Sequence, residues 1–424
     1  MNDITRLDNA ARRARREELG RRYDAFKARG LALDMTRGKP SPEQLDLSLP
    51  MLDCVTSRDW RGEGDDPRNY GGLDGIPEAK RLFAQYFDTA PEQVIVGGNS
   101  SLTMMHAVLR NAMLHGVPGG SGPWSRQPKI KFLCPSPGYD RHFTICEYFG
   151  IEMIPVPMDE HGPRMDAVEP LVAADESIRG MWCVPKYSNP TGATYSDAVV
   201  ERLAAMPARA PDFRLMWDNA YAVHHLYGHP APLMNVLDAC ARAGNADRAY
   251  VFGSTSKISF AGAGVAAMAC SRANADDARK RFNTETIGPD KLNQLRHVRF
   301  FGDLAGLLAH MDRHAAIMRP RFEAVQQALE RDLGGRNVAR WSRPEGGYFV
   351  SVDLPQGCAR RVVALAGEAG VKLTPAGSTW PLGRDPRDSN LRIAPSFPKV
   401  NDVHAAMELF CLCAEMAALD AITG

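Results

Sequence analysis

The sequence has no long apolar run, no paired cysteines and no excess of charge of either sign. No apolar stretch reaches the roughly 18 residues that a transmembrane helix needs, so we expect no membrane-spanning segment. Lysine and arginine number 51, and aspartate and glutamate number 50, so the net charge is +1 and no global field points to nucleic acid or to a membrane. Residues 1–34 lack the apolar core of a secretory signal, and we expect a cytoplasmic protein.

Nine cysteines are scattered through the 424 residues, and none forms a Cys-x-x-Cys pair. This pattern favours buried thiols in a reducing compartment over a disulfide framework or a zinc site, so no metal is expected. Residues 3–29 have the pattern of a charged amphipathic helix. No second helix of a helix-turn-helix accompanies it, so a DNA-binding front end is not expected.

Short apolar segments alternate with helical patterns over much of the chain, which predicts an α/β fold with a mostly parallel sheet. From about residue 275 the composition changes, and a second, smaller α+β domain is predicted, with a helical pattern over 304–333 that breaks at 318–320. We expect an N-terminal arm over 1–55 that packs on the small domain, a large domain over 56–300 and a small domain over 301–424. The strands predicted for the sheet are 94–96, 130–134, 151–156, 181–184, 214–217, 249–252 and 265–269.

Polar residues follow these predicted strands closely. In open α/β sheets the chemistry gathers at the carboxyl ends of the strands, so we expect these side chains to converge at one edge. They are Ser100, Tyr139, Asn189, Asp218, Tyr221 and Lys257.

Lys257 follows a buried strand and precedes a run of small residues, with no acidic residue close to it in sequence. One interpretation is an amine with a lowered pKa that attacks a carbonyl. The alternative is a structural lysine whose amine reaches the surface beside a turn. The segment by itself does not decide between them.

The other strand-end residues favour the chemical interpretation, because together they match the needs of pyridoxal 5′-phosphate. That cofactor needs a lysine for a Schiff base, an anion beside its pyridine nitrogen, donors to its phenolate oxygen and a cradle for its phosphate. Lys257 and Asp218 suit the first two needs, and Tyr139 suits stacking on the ring. The donors would be Asn189 and Tyr221, and the phosphate ligands Ser100, Ser101, Ser254 and Ser256.

Several motifs resemble those of the fold-type I, class I/II pyridoxal-phosphate aminotransferases. The resemblance covers about residues 34–420, and it is greatest to the divergent bacterial subgroup that is aspartate aminotransferase-like. It implies a three-layer large domain. The motifs are Tyr-Gly-Gly-Leu-Asp-Gly at 70–75, Asn-Pro-Thr-Gly at 189–192, Asp-Asn-Ala-Tyr at 218–221, Ser-Thr-Ser-Lys at 254–257, Leu-Arg-Ile-Ala at 391–394 and Thr-Arg-Gly-Lys-Pro at 36–40.

The resemblance also implies roles for the matching residues. Lys257 would bind the cofactor and move a proton between the substrate Cα and the cofactor C4′. Asp218 would pair with the pyridinium, Asn189 and Tyr221 would hold the phenolate oxygen, and Tyr139 would cover the ring. Arg392 would bind the substrate α-carboxylate as a bidentate pair.

Tyr70 would reach the phosphate of the neighbouring subunit, so the resemblance implies a homodimer with shared active sites. Gly38, in a loop that would cover the substrate, and Asn189 would also bind the substrate. The candidates for binding a second substrate carboxylate are Arg37, Lys39 and Arg141.

One position departs from the family pattern. An arginine eight residues after the lysine usually binds the cofactor phosphate, and here that position is Val265. Either serines and helix amides suffice, or another basic side chain takes its place.

The resemblance implies an aminotransferase that acts on aspartate or another dicarboxylic donor, with a 2-oxo acid such as 2-oxoglutarate as acceptor. Two alternatives remain open: an aromatic or kynurenine-type aminotransferase or β-lyase on the same scaffold, and a non-catalytic cofactor-binding regulator. The regulator is disfavoured because only about thirty residues precede Asp34, too few for a DNA-binding module.

Overall fold

The structure of the protein, a computed structural model, describes residues 3–423. The strands are β1 (Leu33–Asp34), β2 (Val94–Val96), β3 (Lys131–Ser136), β4 (Glu152–Asp159), β5 (Gly162–Pro163), β6 (Ile178–Cys183), β7 (Arg214–Asp218), β8 (Ala249–Ser254), β9 (Ala266–Cys270), β10 (Arg340–Trp341), β11 (Val350–Asp353), β12 (Val371–Lys372) and β13 (Asn390–Ile393). The α-helices are α1 (Asn9–Lys27), α2 (Pro42–Asp46), α3 (Pro77–Phe87), α4 (Ser101–His115), α5 (Asp140–Tyr148), α6 (Met165–Ala174), α7 (Asp197–Ala205), α8 (Val236–Arg242), α9 (Arg272–Phe282), α10 (Lys291–Phe301), α11 (Leu304–Leu333), α12 (Ala359–Glu368) and α13 (Val400–Thr423).

The large sheet has the strand order β2-β9-β8-β7-β6-β3-β4-β5. The pairs from β8 through β7, β6 and β3 to β4 are parallel, whereas β9 runs antiparallel to both of its neighbours. The predicted α/β class with a mostly parallel sheet is therefore confirmed.

Helices cover both faces of this sheet, because successive strand residues point to opposite faces. In β7, Leu215 and Trp217 pack on one side with α3, α6, α7 and α8, while Met216 packs on the other with α4, α5 and α9. Both faces are apolar, as a parallel sheet between two helical layers requires. The result is the three-layer arrangement that the resemblance implied.

A second hydrophobic core surrounds the antiparallel sheet β10-β11-β13 and the helices α12 and α13. Leu19, Tyr23 and Phe26 of α1 are buried in this core, and α1 packs along α13. Strand β1 pairs with β12. The proposed boundary at residue 301 falls on the last residue of α10, just before α11.

The predicted helix break at 318–320 is wrong, because α11 runs from Leu304 to Leu333 with Pro320 inside it. Proline costs a helix one backbone hydrogen bond, but burial of neighbouring side chains can outweigh that loss. Met318 and Phe322 are buried on either side of Pro320, and they anchor the helix in the second core.

Over residues 3–423, none of the helices combines the length and the apolar character needed to cross a membrane.

Candidate active site

The polar residues predicted at strand ends lie along one edge of the large sheet. Strand β2 is followed by Ser100, β7 ends in Asp218, and Lys257 lies in the turn after β8. Strands β2 and β8 point the same way because β9 lies between them and is antiparallel to both. Their carboxyl ends therefore meet at the same edge as that of β7, which is parallel to β8.

The Lys257 amine lies close to Tyr221 and Asp218. Its Nζ lies 5.0 Å from the centroid of the Tyr221 ring. Burial lowers the pKa of the Lys257 ammonium below its usual value, and the negative charge of Asp218 opposes this shift. A lowered pKa leaves more free amine at neutral pH, and the free amine is the form that attacks a carbonyl.

Asp218 is buried and only half-satisfied. Its Oδ2 lies 2.9 Å from Nε2 of His142, whereas its Oδ1 is buried without a hydrogen-bond partner among the described residues. A buried oxygen without a donor is costly, so Oδ1 fits a donor supplied by a bound molecule. The protonated ring nitrogen of pyridoxal phosphate is a donor of this kind.

His142 is a residue that the sequence analysis missed. Its ring stacks on the Trp182 indole with 4.2 Å between centroids and 6° between planes, and this contact orients Nε2 towards Asp218. Tyr139 packs edge-on against the same ring at 4.9 Å. Since Tyr139 and His142 are three residues apart at the start of a helix, their shared face was a signal in the sequence.

The candidate phosphate cradle lies where α4 begins. The Ser100 side chain makes no capping hydrogen bond to α4, so its hydroxyl and the first amides of the helix can serve an anion. Ser256 Oγ donates to the Asn99 carbonyl at 2.9 Å and lies 3.1 Å from Ser254 Oγ. This geometry brings the two predicted serine pairs to one place.

Val265 does not face this cradle. Its side chain is buried in the core that the large sheet shares with α3, α6, α7 and α8. Its backbone N–H donates to Thr255 Oγ1 at 2.8 Å. A Cβ on Gly264 would lie 2.9 Å from the Ser256 nitrogen, so only glycine allows this approach. Within residues 3–423, no lysine or arginine side chain is hydrogen-bonded to the four cradle serines.

Arg392 is mostly buried and only weakly paired. Its Nη1 lies 3.3 Å from Asn189 Oδ1 and 3.6 Å from Asp140 Oδ1, and its guanidinium carbon lies 4.6 Å from the centre of the Phe349 ring. The Nε atom is buried with no partner in the part of the chain described. A guanidinium with a free donor in a dry place fits a carboxylate ligand.

The loop at 36–40 lies against this arginine site. A Cβ on Gly38 would come within 2.2 Å of the Phe349 ring, so the loop touches the ring that supports Arg392. Arg37 is half-exposed and forms an ion pair with Asp34 at 3.0 Å. The Lys39 amine lies 4.3 Å from the centre of the Phe397 ring. Arg141 is exposed.

The predicted site residue Tyr70 is largely exposed, with 78% of its surface accessible to solvent. The backbone beside it is fixed, because Gly71 N–H donates to the Ile287 carbonyl at 2.9 Å and Lys291 Nζ donates to the Gly71 carbonyl at 2.8 Å.

Comparison with known proteins gives a consistent result. A family model described as aspartate amino-transferase matches residues 7–424. An aspartate aminotransferase from Corynebacterium glutamicum is 46% identical over 405 residues, which are 95% of this chain and 94% of that protein. A protein of Mycolicibacterium smegmatis is 51% identical over 416 residues, which are 97% of each chain.

Solved structures agree with the sequence relatives. The crystal structure of an aspartate transaminase from Corynebacterium glutamicum has a TM-score of 0.96 and 45% identity, and the match covers 98% of both chains. An α-aminoadipate aminotransferase from Thermus thermophilus, at 21% identity and a TM-score of 0.73 over 96% of this chain and 97% of its own, shares the fold. The motifs, the fold and these relatives together show that the chain is an aminotransferase of the aspartate amino-transferase family.

Proposed function

We propose that this aminotransferase holds pyridoxal 5′-phosphate on Lys257 and moves an amino group from a dicarboxylic amino acid, aspartate foremost, to a 2-oxo acid such as 2-oxoglutarate. The observation that carries the proposal is the buried Oδ1 of Asp218, which has no hydrogen-bond partner among residues 3–423 and lies on the sheet edge that also holds Lys257. This cofactor engages two groups at opposite ends of its ring. One is an amine of lowered pKa, here that of Lys257, and the other is a carboxylate oxygen that needs a donor, here that of Asp218.

Each site residue then has a physical task. The bound cofactor supplies a sink for the electrons of the substrate Cα–H bond. Asp218 would accept a hydrogen bond from the ring nitrogen, and His142 fixes the direction of its carboxylate. The Lys257 amine, once the substrate amine has displaced it from the cofactor, would take the proton from the substrate Cα. Asn189 and Tyr221 would direct donors at the phenolate oxygen, and Tyr139 would cover the ring.

The phosphate is held without the usual arginine. Ser100 and Ser101 stand at the amino end of α4, where free backbone amides and the helix dipole favour an anion. Ser254 and Ser256 supply hydroxyls from the other side.

Arg392 binds the α-carboxylate of the substrate, because its Nε and Nη atoms form a planar pair of donors. A dicarboxylic substrate needs a second cation, and Arg37 is our first candidate because its neighbour Gly38 touches the ring that supports Arg392. Lys39 and Arg141 are the other candidates. The activity in the name of the Corynebacterium glutamicum relative supports aspartate as the donor.

A second copy of this chain completes the site. Tyr70 is 78% exposed, and Ile287 is 62% exposed. The two residues are neighbours because the Ile287 carbonyl binds the Gly71 N–H, so together they expose an apolar patch to solvent. Such a patch suits an interface, and a twofold dimer would place each Tyr70 at the phosphate of its partner.

The location we propose is the cytoplasm. All nine cysteines are free thiols, and eight of them are buried. Free thiols in this number suit a reducing compartment.

The test is a panel of amino donors assayed against 2-oxoglutarate and oxaloacetate. We expect conversion of aspartate to its 2-oxo acid only when an acceptor is present. Release of pyruvate and ammonia without an acceptor would indicate a β-lyase, and preference for kynurenine or aromatic donors would overturn aspartate as substrate. Cofactor binding without turnover on any donor would indicate a regulator.

A further inference from the structure

Lys257 lies in a turn of the backbone, and the carbonyl groups at and after the lysine are satisfied in an unusual way. The N–H groups of Ile258 and Ser259 both donate to the Thr255 carbonyl, at 2.9 and 2.8 Å. Within residues 3–423, no backbone N–H donates to the carbonyls of Lys257 and Ile258. Ile258 and Ser259 are fully buried, so these carbonyls need donors from elsewhere in the protein.

Side chains from distant segments supply these donors. Tyr348 Oη donates to the Lys257 carbonyl at 3.2 Å, and His224 Nε2 lies 3.3 Å from the same oxygen. His310 Nε2, from α11, lies 2.9 Å from the Ile258 carbonyl. The main chain of the lysine is therefore held by residues of the loop after β7, of α11 and of the segment before β11.

Gln44 determines the direction of the Tyr348 hydrogen bond. The Ser41 N–H donates to Gln44 Oε1 at 3.0 Å, which assigns the oxygen end of the amide. The amide nitrogen then donates to Tyr348 Oη at 3.3 Å and approaches His314 Nδ1 at 3.0 Å. An amide NH₂ cannot accept, so the hydroxyl proton of Tyr348 is left for the Lys257 carbonyl.

We propose that Gln44 and Tyr348 are positioning residues that fix the main chain of Lys257 and so aim its amine. Both are almost fully buried, where hydrogen bonds are strong and a lost donor is costly. A displacement of about 1 Å at a reacting group can lower a rate by up to about 100-fold. This inference rests on the proposed attachment of pyridoxal phosphate to Lys257.

A merely structural role would also lower stability, so the test separates stability from lysine chemistry. Tyr348→Phe removes the bond to the Lys257 carbonyl. Tyr23→Phe is the matched control, because Tyr23 is also buried and its hydroxyl donates to a carbonyl, that of Leu365, at 2.8 Å. Three quantities are measured on the cofactor-free form of each variant: the thermal midpoint, the acylation rate of Lys257 by peptide mass spectrometry, and the rate of covalent attachment of added pyridoxal phosphate, trapped by borohydride. The steady-state kcat and the KM for the amino donor are then measured on the cofactor-loaded form.

Both variants are expected to lower the thermal midpoint by similar amounts. Only Tyr348→Phe is expected to change the Lys257 acylation rate severalfold and to slow the attachment of pyridoxal phosphate about tenfold. Its kcat should be about tenfold lower, and its KM for the amino donor should be nearly unchanged. Wild-type values of acylation, attachment and kcat in Tyr348→Phe would overturn the inference. If the wild-type protein itself does not attach the cofactor at Lys257, the proposed function fails instead.

Gln44→Glu tests the same pair of hydrogen bonds, from Gln44 to Tyr348 and from Tyr348 to the Lys257 carbonyl, at the Gln44 end. The new carboxylate accepts but does not donate, so it would draw the Tyr348 hydroxyl proton away from the Lys257 carbonyl. Gln326→Glu is the control, because Gln326 donates to the Ser342 carbonyl at 3.0 Å and, over residues 3–423, has no hydrogen bond to the lysine turn. We expect Gln44→Glu to reproduce the slow attachment of Tyr348→Phe, and the double variant to be no slower than either one. The inference would be contradicted if the two substitutions slowed cofactor attachment additively in the double variant. It would also be contradicted if Gln44→Glu and Gln326→Glu slowed attachment equally.

Discussion

Acid should destabilise the fold through histidines that are buried in neutral form, and His297 gives the clearest test. Its Nδ1 lies 2.8 Å from the Asn293 carbonyl, and its Nε2 lies 2.8 Å from Ser259 Oγ. Burial lowers the pKa of His297 to about 4, although the Asn293 carbonyl partly opposes this; Arg296 lowers it further and Asp290 raises it. We expect His297→Gln to remove one titrating group from the fold.

The sign and the magnitude follow from proton uptake on unfolding. The pKa of His297 is about 4 in the folded protein and 6.5 for an unperturbed histidine, so the unfolded chain binds one more proton between these values. The stability that depends on neutral His297 is therefore complete above about pH 6.5 and is lost as the pH falls towards about 4. The difference in unfolding free energy between wild type and His297→Gln should shrink by roughly 2.5 kcal/mol from about pH 7.5 to about pH 4.5.

The assay is urea unfolding of the cofactor-free protein, followed by intrinsic fluorescence at several pH values in this window. His229→Gln is the control, because it makes the same substitution at an exposed position. A pH dependence of His297→Gln no larger than that of the control would refute the reasoning, since it would mean that His297 takes up protons equally well in the folded and unfolded chains.

Three further predictions concern the site itself. Arg392→Lys should raise KM for aspartate about 100-fold because lysine cannot form a bidentate pair, and a change under threefold in steady-state assays would remove the carboxylate role. Arg37→Ala should raise KM for aspartate about tenfold and leave a neutral amino acid within about twofold, whereas equal effects on both donors would exclude Arg37 from specificity. Mixing Tyr70→Ala with Lys257→Ala subunits should restore about a quarter of wild-type activity if Tyr70 serves its partner's site; no recovery, or an active monomer by light scattering, would contradict the shared site.

Much of the site followed from the sequence because its members stand at the ends of parallel strands. Apolar segments of three to six residues located the sheet, and topology then brought Ser100, Asp218 and Lys257 to one edge. The decisive information was carried by a single rule of chain direction.

The remainder depends on contacts between distant segments, which leave no periodic pattern. The hydrogen bond between Gln44 and Tyr348 joins residues 304 positions apart, and each residue alone resembles an ordinary buried polar side chain. The predicted helix break at Pro320 is wrong for a related reason. Local propensity predicts that the helix ends there, whereas the burial of Met318 and Phe322 keeps α11 continuous. Tertiary packing decides such cases, and a single sequence does not contain it.

Val265 and the side chains that bind the Lys257 and Ile258 carbonyls both affect how much positive charge surrounds the Lys257 amine. A nearby arginine would lower the pKa of Lys257 by repulsion, but Val265 carries no charge and is buried in the core. Burial is therefore what lowers the pKa of Lys257, against the attraction of Asp218. Neighbouring His224 adds no positive charge, because burial keeps its own pKa well below the usual range. Burial also lowers the pKa of His310, so the three side chains that bind the Lys257 and Ile258 carbonyls, those of Tyr348, His224 and His310, hold the turn without adding a positive charge beside the amine.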